Sequence, residues 1–154
     1  MDLGDLLKPE GVFASVRIKN KKQALQELAA RAARITGLVE RQIFDAILQR
    51  ERLGSTGVGR GIAIPHARVA GLKRIAAVFA QLDEPIEFDA LDGEAVDLVF
   101  LLLAPEHAGA DHLKALARIS RVLRDPLTIE KLRAARDRTQ LYAVLTEPLA
   151  THAA

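Results

Sequence analysis

Two runs of the chain, Ile75 to Leu82 and Val96 to Leu103, are apolar almost without interruption. A strand with one wet face alternates apolar and polar residues, whereas a strand covered on both faces has no such alternation. Both runs therefore read as buried strands. Asp83, Pro85, Gly93 and Pro105 bound them with turn chemistry. The longest unbroken apolar stretch, Leu98 to Ala104, has seven residues, against the roughly 20 that a membrane-spanning helix needs. The opening residues MDLGDLLKPEG place acids and a proline where a secretory signal needs a basic flank and an apolar run. A cytoplasmic protein without membrane insertion is expected.

Strands covered on both faces need helices to cover them, and the remaining sequence supplies these. After a partly alternating first strand at Val12 to Ile18, Leu25, Leu28, Ala29, Ala32 and Ile35 recur at three- and four-residue spacings. That spacing predicts a helix over 22–36, with Gly37 as its stop. A second helix is predicted over 39–53, burying Ile43, Ile47 and Leu48 and ending at Gly54. A third, over 110–124, carries Leu113, Leu116, Ala117, Ile119, Val122 and Leu123 at core spacing. Shorter helices are expected over 127–134 and 138–145. This order implies an α/β fold, a mixed β-sheet sandwiched between helices. The 154 residues suit one domain, with 147–154 expected as a frayed tail.

Composition narrows the chemistry. Lys plus Arg number 22 and Asp plus Glu 20, interspersed along the chain, so no basic stripe for nucleic acid is present. Aromatic residues make up 4% and Trp is absent, which removes base-stacking platforms. The chain has no Cys, leaving four histidines, the carboxylates and the hydroxyls as reactive groups.

Between the second predicted helix and the first buried run lies GSTGVGRGIAIPH, with Gly54, Gly57, Gly59 and Gly61 falling within eight residues. Such a segment either turns tightly or is approached closely by another group. It fails as a nucleotide loop: Gly59, Arg60 and Gly61 lead into a strand where a P-loop requires Gly-Lys-Ser/Thr leading into a helix. The dinucleotide fingerprint requires a preceding strand, and a helix precedes this segment. Its notable product is His66, delivered after Pro65 at the end of a short apolar run, so that it is expected at a strand end. A neutral imidazole is a nucleophile near physiological pH and forms labile adducts, which suits it to accepting a group and passing it on.

A phosphoryl group on His66 requires cations or donors nearby. Arg50, close to the end of the second helix, is placed to offer a fork to phosphate oxygens; the alternative is a solvated helix end made by Arg50, Glu51 and Arg52. His112 falls in the first turn of the third long helix, where the terminus favours anions and lowers a histidine pKa; the alternative is a surface histidine or a cap. His107 is expected in solvent. His66, His107, Asp111 and His112 are also conceivable metal ligands, but they lack the HExxH spacing and Cys support.

Arg50 to His66, RERLGSTGVGRGIAIPH, followed by HLKALARIS from His112, resembles the EIIA domains of the bacterial phosphoenolpyruvate-dependent phosphotransferase system, mannitol/fructose type. The likeness is greatest to its nitrogen-regulatory branch, EIIA-Ntr. It extends from the entry Leu6-Leu7-Lys8-Pro9-Glu10 to the closing RTQLYAVL. The resemblance implies the mannitol/fructose-type EIIA fold and a phosphoryl carrier, in which His66 accepts the group on its tele nitrogen from an HPr-like phosphocarrier protein. It further implies that Arg50 and His112 hold the phosphoryl group and that neither metal nor other cofactor is needed. One departure is Ala67, where family members often have Gly.

With no EIIB or EIIC sequence attached, a stand-alone regulator is expected: a transferase-type phosphohistidine protein whose output is regulation of downstream target proteins, such as transporters or sensor kinases. The first alternative is a fructose- or mannitol-specific EIIA passing the group to an EIIB. The second is a binding module that works without phosphorylation. His107 and His152 receive no role.

Overall fold

A computed structural model describes residues 2–148. In chain order these form α1 (Leu3–Leu6), a 3-10 turn (Pro9–Gly11), β1 (Val12–Val16), α2 (Lys21–Thr36) and α3 (Glu40–Arg52). Four strands follow as β2 (Gly57–Gly59), β3 (Ile62–Ala63), β4 (His66–Val69) and β5 (Ala76–Ile86). The chain closes with β6 (Val96–Pro105), α4 (Gly109–Arg124), α5 (Pro126–Ala134) and α6 (Arg138–Thr146).

The two apolar runs lie at the centre of the sheet, as β5 and β6 paired antiparallel. β1 adds parallel to β5, β3 and β4 add parallel to β6, and β2 closes the far edge antiparallel to β3. The sheet is therefore mixed, with strand order β1-β5-β6-β3-β2. Side chains of β6 alternate between two cores. Val99, Leu101 and Leu103 meet α2 and α3 through Leu25, Leu28, Ile43 and Ile47, whereas Leu98, Phe100 and Leu102 meet Ile119, Val122, Leu132 and Leu141 of the C-terminal helices. Both faces are dry, which accounts for the lack of alternation in the sequence.

Local signals set the helix ends. Asn20 caps α2 by accepting from the Gln23 N–H at 2.8 Å, and Gly37, at φ 77°, stops it in the left-handed region. Asp125 caps α5, whose first residue is Pro126, and Asp137 caps α6.

Several expectations need correction. β5 does not stop at Asp83 but runs to Ile86, because a register shift between Gln81 and Ile86 lets Asp83, Glu84 and Pro85 leave the ladder. β1 ends at Val16, after Ser15 at φ 51° breaks its register, so Ile18 is buried outside the strand. In α4, Leu113 is 66% exposed and Ala117 is exposed; the buried stripe is His112, Ala115, Ile119, Val122 and Leu123. Leu48 of α3 is half-buried. The expected tail lies outside the described residues from 149 onward, and so does His152.

The glycine segment is not an open loop. Residues 57–63 form a tight β2–β3 hairpin whose turn carries three successive positive φ angles, at Gly59, Arg60 and Gly61. Asp92 accepts the Arg60 N–H at 2.9 Å and the Gly57 carbonyl accepts the Leu91 N–H at 3.2 Å, so the 89–93 loop braces the hairpin.

Candidate functional site

β3 and β4 keep one parallel register along β6: Ile62 faces Leu98, Ala63 faces Val99 and His66 faces Leu102. Pro65 has no N–H to donate, so the ladder is interrupted there, although its carbonyl still accepts from Leu102 at 2.9 Å. His66 consequently opens a second strand, where the sequence led to expect the end of the first. On β4, Ala67 and Val69 point into the α2–α3 core, and His66 and Arg68 share the other face.

α3 carries Arg50 in its last turn, and the Arg50 Nη1 donates to the Gly54 carbonyl just past the helix at 3.0 Å. Its Nε donates to the Nε2 of His66 at 3.3 Å. The other ring nitrogen of His66, Nδ1, lies 2.8 Å from the Ile64 carbonyl. A carbonyl only accepts, so Nδ1 carries the proton and Nε2 presents its lone pair toward Arg50. Burial lowers the His66 pKa, with the Arg50 charge adding to this, while the Ile64 hydrogen bond and the Glu51 charge oppose it. The ring is held neutral, as a nucleophile requires.

His112 approaches from α4, its ring edge-on to that of His66 at 5.8 Å between centroids. It is 7% exposed, and its Nδ1 has no hydrogen-bond partner among the described residues. Its pKa is lowered mainly by burial, then by the charges of His66 and Arg68. Arg50, His66, Arg68 and His112, with Ala46, Gln49, Leu53 and Ala67, line an open depression of about 330 Å³.

A larger depression, about 750 Å³, lies at the other end of β6 beside Gly61, Asp97 and Arg133. There the Arg133 guanidinium is already committed to Asp97 and to the Arg60 carbonyl, and no group has the poised neutral ring seen at His66. His107 is exposed. Among the described residues, no three His, Asp or Glu side chains gather as a metal would require, and no helix is long and apolar enough to cross a membrane.

Residues 5–147 match the family model described as phosphoenolpyruvate-dependent sugar phosphotransferase system, EIIA 2. The chain belongs to this EIIA 2 family. The resemblance drawn from the Arg50–His66 and His112 motifs therefore holds. A protein of Bradyrhizobium diazoefficiens named nitrogen regulatory protein is 57% identical over 153 residues, covering 99% of this chain and 100% of that protein. Among solved structures, the nitrogen regulatory protein IIA-Ntr of Neisseria meningitidis superposes with a TM-score of 0.89 at 34% identity, covering 94% of this chain and 99% of that one. The mannitol IIA of Escherichia coli reaches a TM-score of 0.77 at 21% identity, over 90% and 97% of the two chains. At that identity the likeness speaks for the fold.

The EIIA 2 fold thus brings His66, Arg50 and His112 together, as their sequence context led to expect. Two neighbours escaped notice. Glu51, grouped with a solvated helix end, is buried; its carboxylate accepts from the N–H and Oγ1 of Thr56, both at 2.7 Å, and meets Lys21 Nζ at 3.1 Å. It ties the end of α3 to the start of the hairpin. Nothing local distinguishes it from Arg52, since only the tertiary position of Thr56 makes it an anchor. Arg68 was missed because β4 was not foreseen; a strand starting at His66 would have put residue 68 on the same face.

Proposed function

We propose that this EIIA 2 protein is a nitrogen-regulatory phosphoryl carrier, with His66 as acceptor and Arg50 and His112 as holders of the phosphoryl group. The observation that carries the reading is the state of the His66 ring: Nδ1–H is engaged by the Ile64 carbonyl and Nε2 is left with its lone pair beside the Arg50 Nε. The names of the relatives support the regulatory branch.

In the transfer, the Nε2 lone pair forms a bond to phosphorus as the P–N bond to the donor's phosphohistidine breaks. The donor ring keeps that bond's electron pair and leaves neutral. Nδ1 of His66 retains its proton throughout, so no general base is required. The protein's contribution is positioning and charge neutralisation: Arg50 turns its Nε–H from Nε2 to a phosphoryl oxygen, and His112 donates an N–H from the facing side. Leu53, 84% exposed on the rim, and Leu113, 66% exposed beside His112, supply apolar surface suited to a protein donor. An HPr-like phosphocarrier fits that requirement. Phosphorylation places negative charge and acceptor oxygens on this face, and downstream target proteins read the difference.

Incubation with phosphoenolpyruvate, enzyme I and an HPr-like carrier is expected to raise the intact mass by one phosphoryl group, and His66→Ala to abolish the gain. An unchanged wild-type mass, or a labelled His66→Ala protein, would overturn the reading. Onward transfer to an EIIB with formation of a sugar phosphate would reassign the protein to sugar uptake.

A further inference from the structure

A phosphoryl group on Nε2 of His66 presents three oxygens bearing nearly two negative charges. The groups assigned to it do not match that demand. One Arg50 Nη1–H is held by the Gly54 carbonyl, and His112 contributes a single ring N–H. His112, moreover, is held neutral, so Arg50 is the only full positive charge among the three.

Arg68 is the further cation beside them. It stands two residues beyond His66 on β4, on the same face of the strand, and lines the same depression as Arg50, His66 and His112. Its charge already reaches His112. Among the described residues the Arg68 side chain has no hydrogen bond and no carboxylate partner, in contrast to Arg31, Arg41, Arg118 and Arg133, each of which meets an acidic side chain. Its side chain is exposed and lines the depression. An arginine held on a rigid strand beside an anion site, with no competing carboxylate, is suited to bidentate capture of oxyanion oxygens.

We propose that Arg68 is a second guanidinium of the phosphoryl site, closing onto the oxygens of phosphorylated His66 and stabilising that form over the unmodified one. The inference rests on His66 being the phosphoryl acceptor. It assigns to Arg68 a contact with the phosphoryl group itself, and this differs from a contact with the docked donor. The distinction has a thermodynamic signature. A residue touching only the donor in the encounter complex changes how fast phosphoryl exchange reaches equilibrium and leaves the equilibrium constant between the free proteins unaltered. A residue holding the phosphoryl group shifts the constant.

The test uses His66 phosphorylated chemically with phosphoramidate, in the wild type, Arg68→Gln and Arg68→Lys. The phosphorus resonance is followed against pH, and the exchange equilibrium with a phosphorylated HPr-like carrier is measured beside it. Removing a cation from a phosphoryl dianion raises its pKa, so Arg68→Gln is expected to titrate at higher pH than wild type, with Arg68→Lys between them. In the exchange, Arg68→Gln is expected to lower the equilibrium fraction of phosphorylated protein, with the constant falling by roughly three- to tenfold. Arg68→Lys should recover part of that loss. An unchanged phosphoryl pKa together with an unchanged constant overturns the assignment of Arg68, even if the rate of exchange falls. Failure of the phosphorylated HPr-like carrier to label wild-type His66 in the exchange overturns the carrier reading itself, and the role of Arg68 with it.

Discussion

The Arg50 Nε donates to the Nε2 of His66 at 3.3 Å while the ring's other nitrogen is fixed on the Ile64 carbonyl, two residues back on the same chain. The two contacts divide the work. The backbone contact selects the tautomer, and the guanidinium stands beside the free lone pair, where the proposed phosphoryl group would need a cation. Neither alone yields a nucleophile with a cation waiting for its product.

Arg50→Lys keeps the charge but loses the planar fork and the Nε–H at this position. Phosphoryl transfer to His66 is expected to slow by roughly tenfold, and by about a hundredfold for Arg50→Ala. Rapid-quench measurement of phosphoprotein formation checks both. Equal rates for Arg50→Lys and wild type would leave only a point-charge role for Arg50.

His112→Gln should separate function from folding. The His112 Nδ1 has no partner among the described residues, so replacing the ring removes no hydrogen bond there, and the loss of stability is expected to stay within about 1–2 kcal/mol. The phosphorylated form should nevertheless decay several times faster. Following intact mass after removal of the donor checks the lifetime, and thermal unfolding checks the fold. Unaltered kinetics would remove His112 from the site.

The central strands and long helices were legible because burial writes itself into periodicity. Val96–Leu103 lacks alternation because both its faces are dry, and Gly37 marks the end of α2 because only its φ of 77° turns the chain there. β4 was illegible. Its four residues are too few to show a period, and Pro65 hides the fact that β3 and β4 share one register on β6. Arg68 was lost with it. Leu113 misled in the opposite sense, satisfying helical spacing yet facing out, because His112 takes the buried position beside it. The trio of Arg50, His66 and His112 was reachable through motif context; Glu51 depended on where Thr56 comes to lie.

The hairpin glycines are expected to be intolerant of side chains for two different reasons. At Gly61, φ is +81° and an added Cβ would meet the Arg133 guanidinium and lie 2.9 Å from Asp97 Oδ1, breaking the clamp that Arg133 makes on Asp97 and the Arg60 carbonyl. Gly57 has an ordinary φ, but its Cβ would stand 2.9 Å from both the Cα and the Cβ of Ala90. Gly61→Val should cost about 2–4 kcal/mol and Gly57→Val about 1–3 kcal/mol. Denaturant unfolding measures both, and a neutral Gly61→Val would contradict the clamp.

Glu51 should matter for stability and, through Arg50 beside it, for transfer. Glu51→Ala leaves the Thr56 N–H and hydroxyl without their acceptor and Lys21 without its buried partner. A loss of about 3–5 kcal/mol is expected. Glu51→Gln keeps one acceptor oxygen for Thr56 and should lose less. The ordering Glu51→Ala below Glu51→Gln below wild type, in both unfolding midpoint and phosphoryl transfer, is the checkable outcome. A retained midpoint in Glu51→Ala would mean the hairpin is anchored elsewhere.

The two site histidines tie stability and activity to pH with the same sign. Both have pKa values lowered in the folded protein, chiefly by burial, from the ordinary value of about 6.5 that they regain on unfolding. Below that value the unfolded chain binds protons that the folded site resists, so unfolding is favoured as pH falls; above it both states are neutral and the contribution is complete. Stability is therefore expected to be level above neutrality and to decline as pH drops through the ordinary histidine range toward the lowered folded values. His66→Asn and His112→Asn should each flatten that slope. Transfer needs the neutral His66 ring, so its acid limb should lie below the ordinary histidine range in the wild type. Arg50→Ala removes a charge that lowers the His66 pKa and should move the limb to higher pH. Histidine proton resonances followed from pH 8 downward give both pKa values directly, and values at or above the ordinary one would contradict the burial that underlies the site.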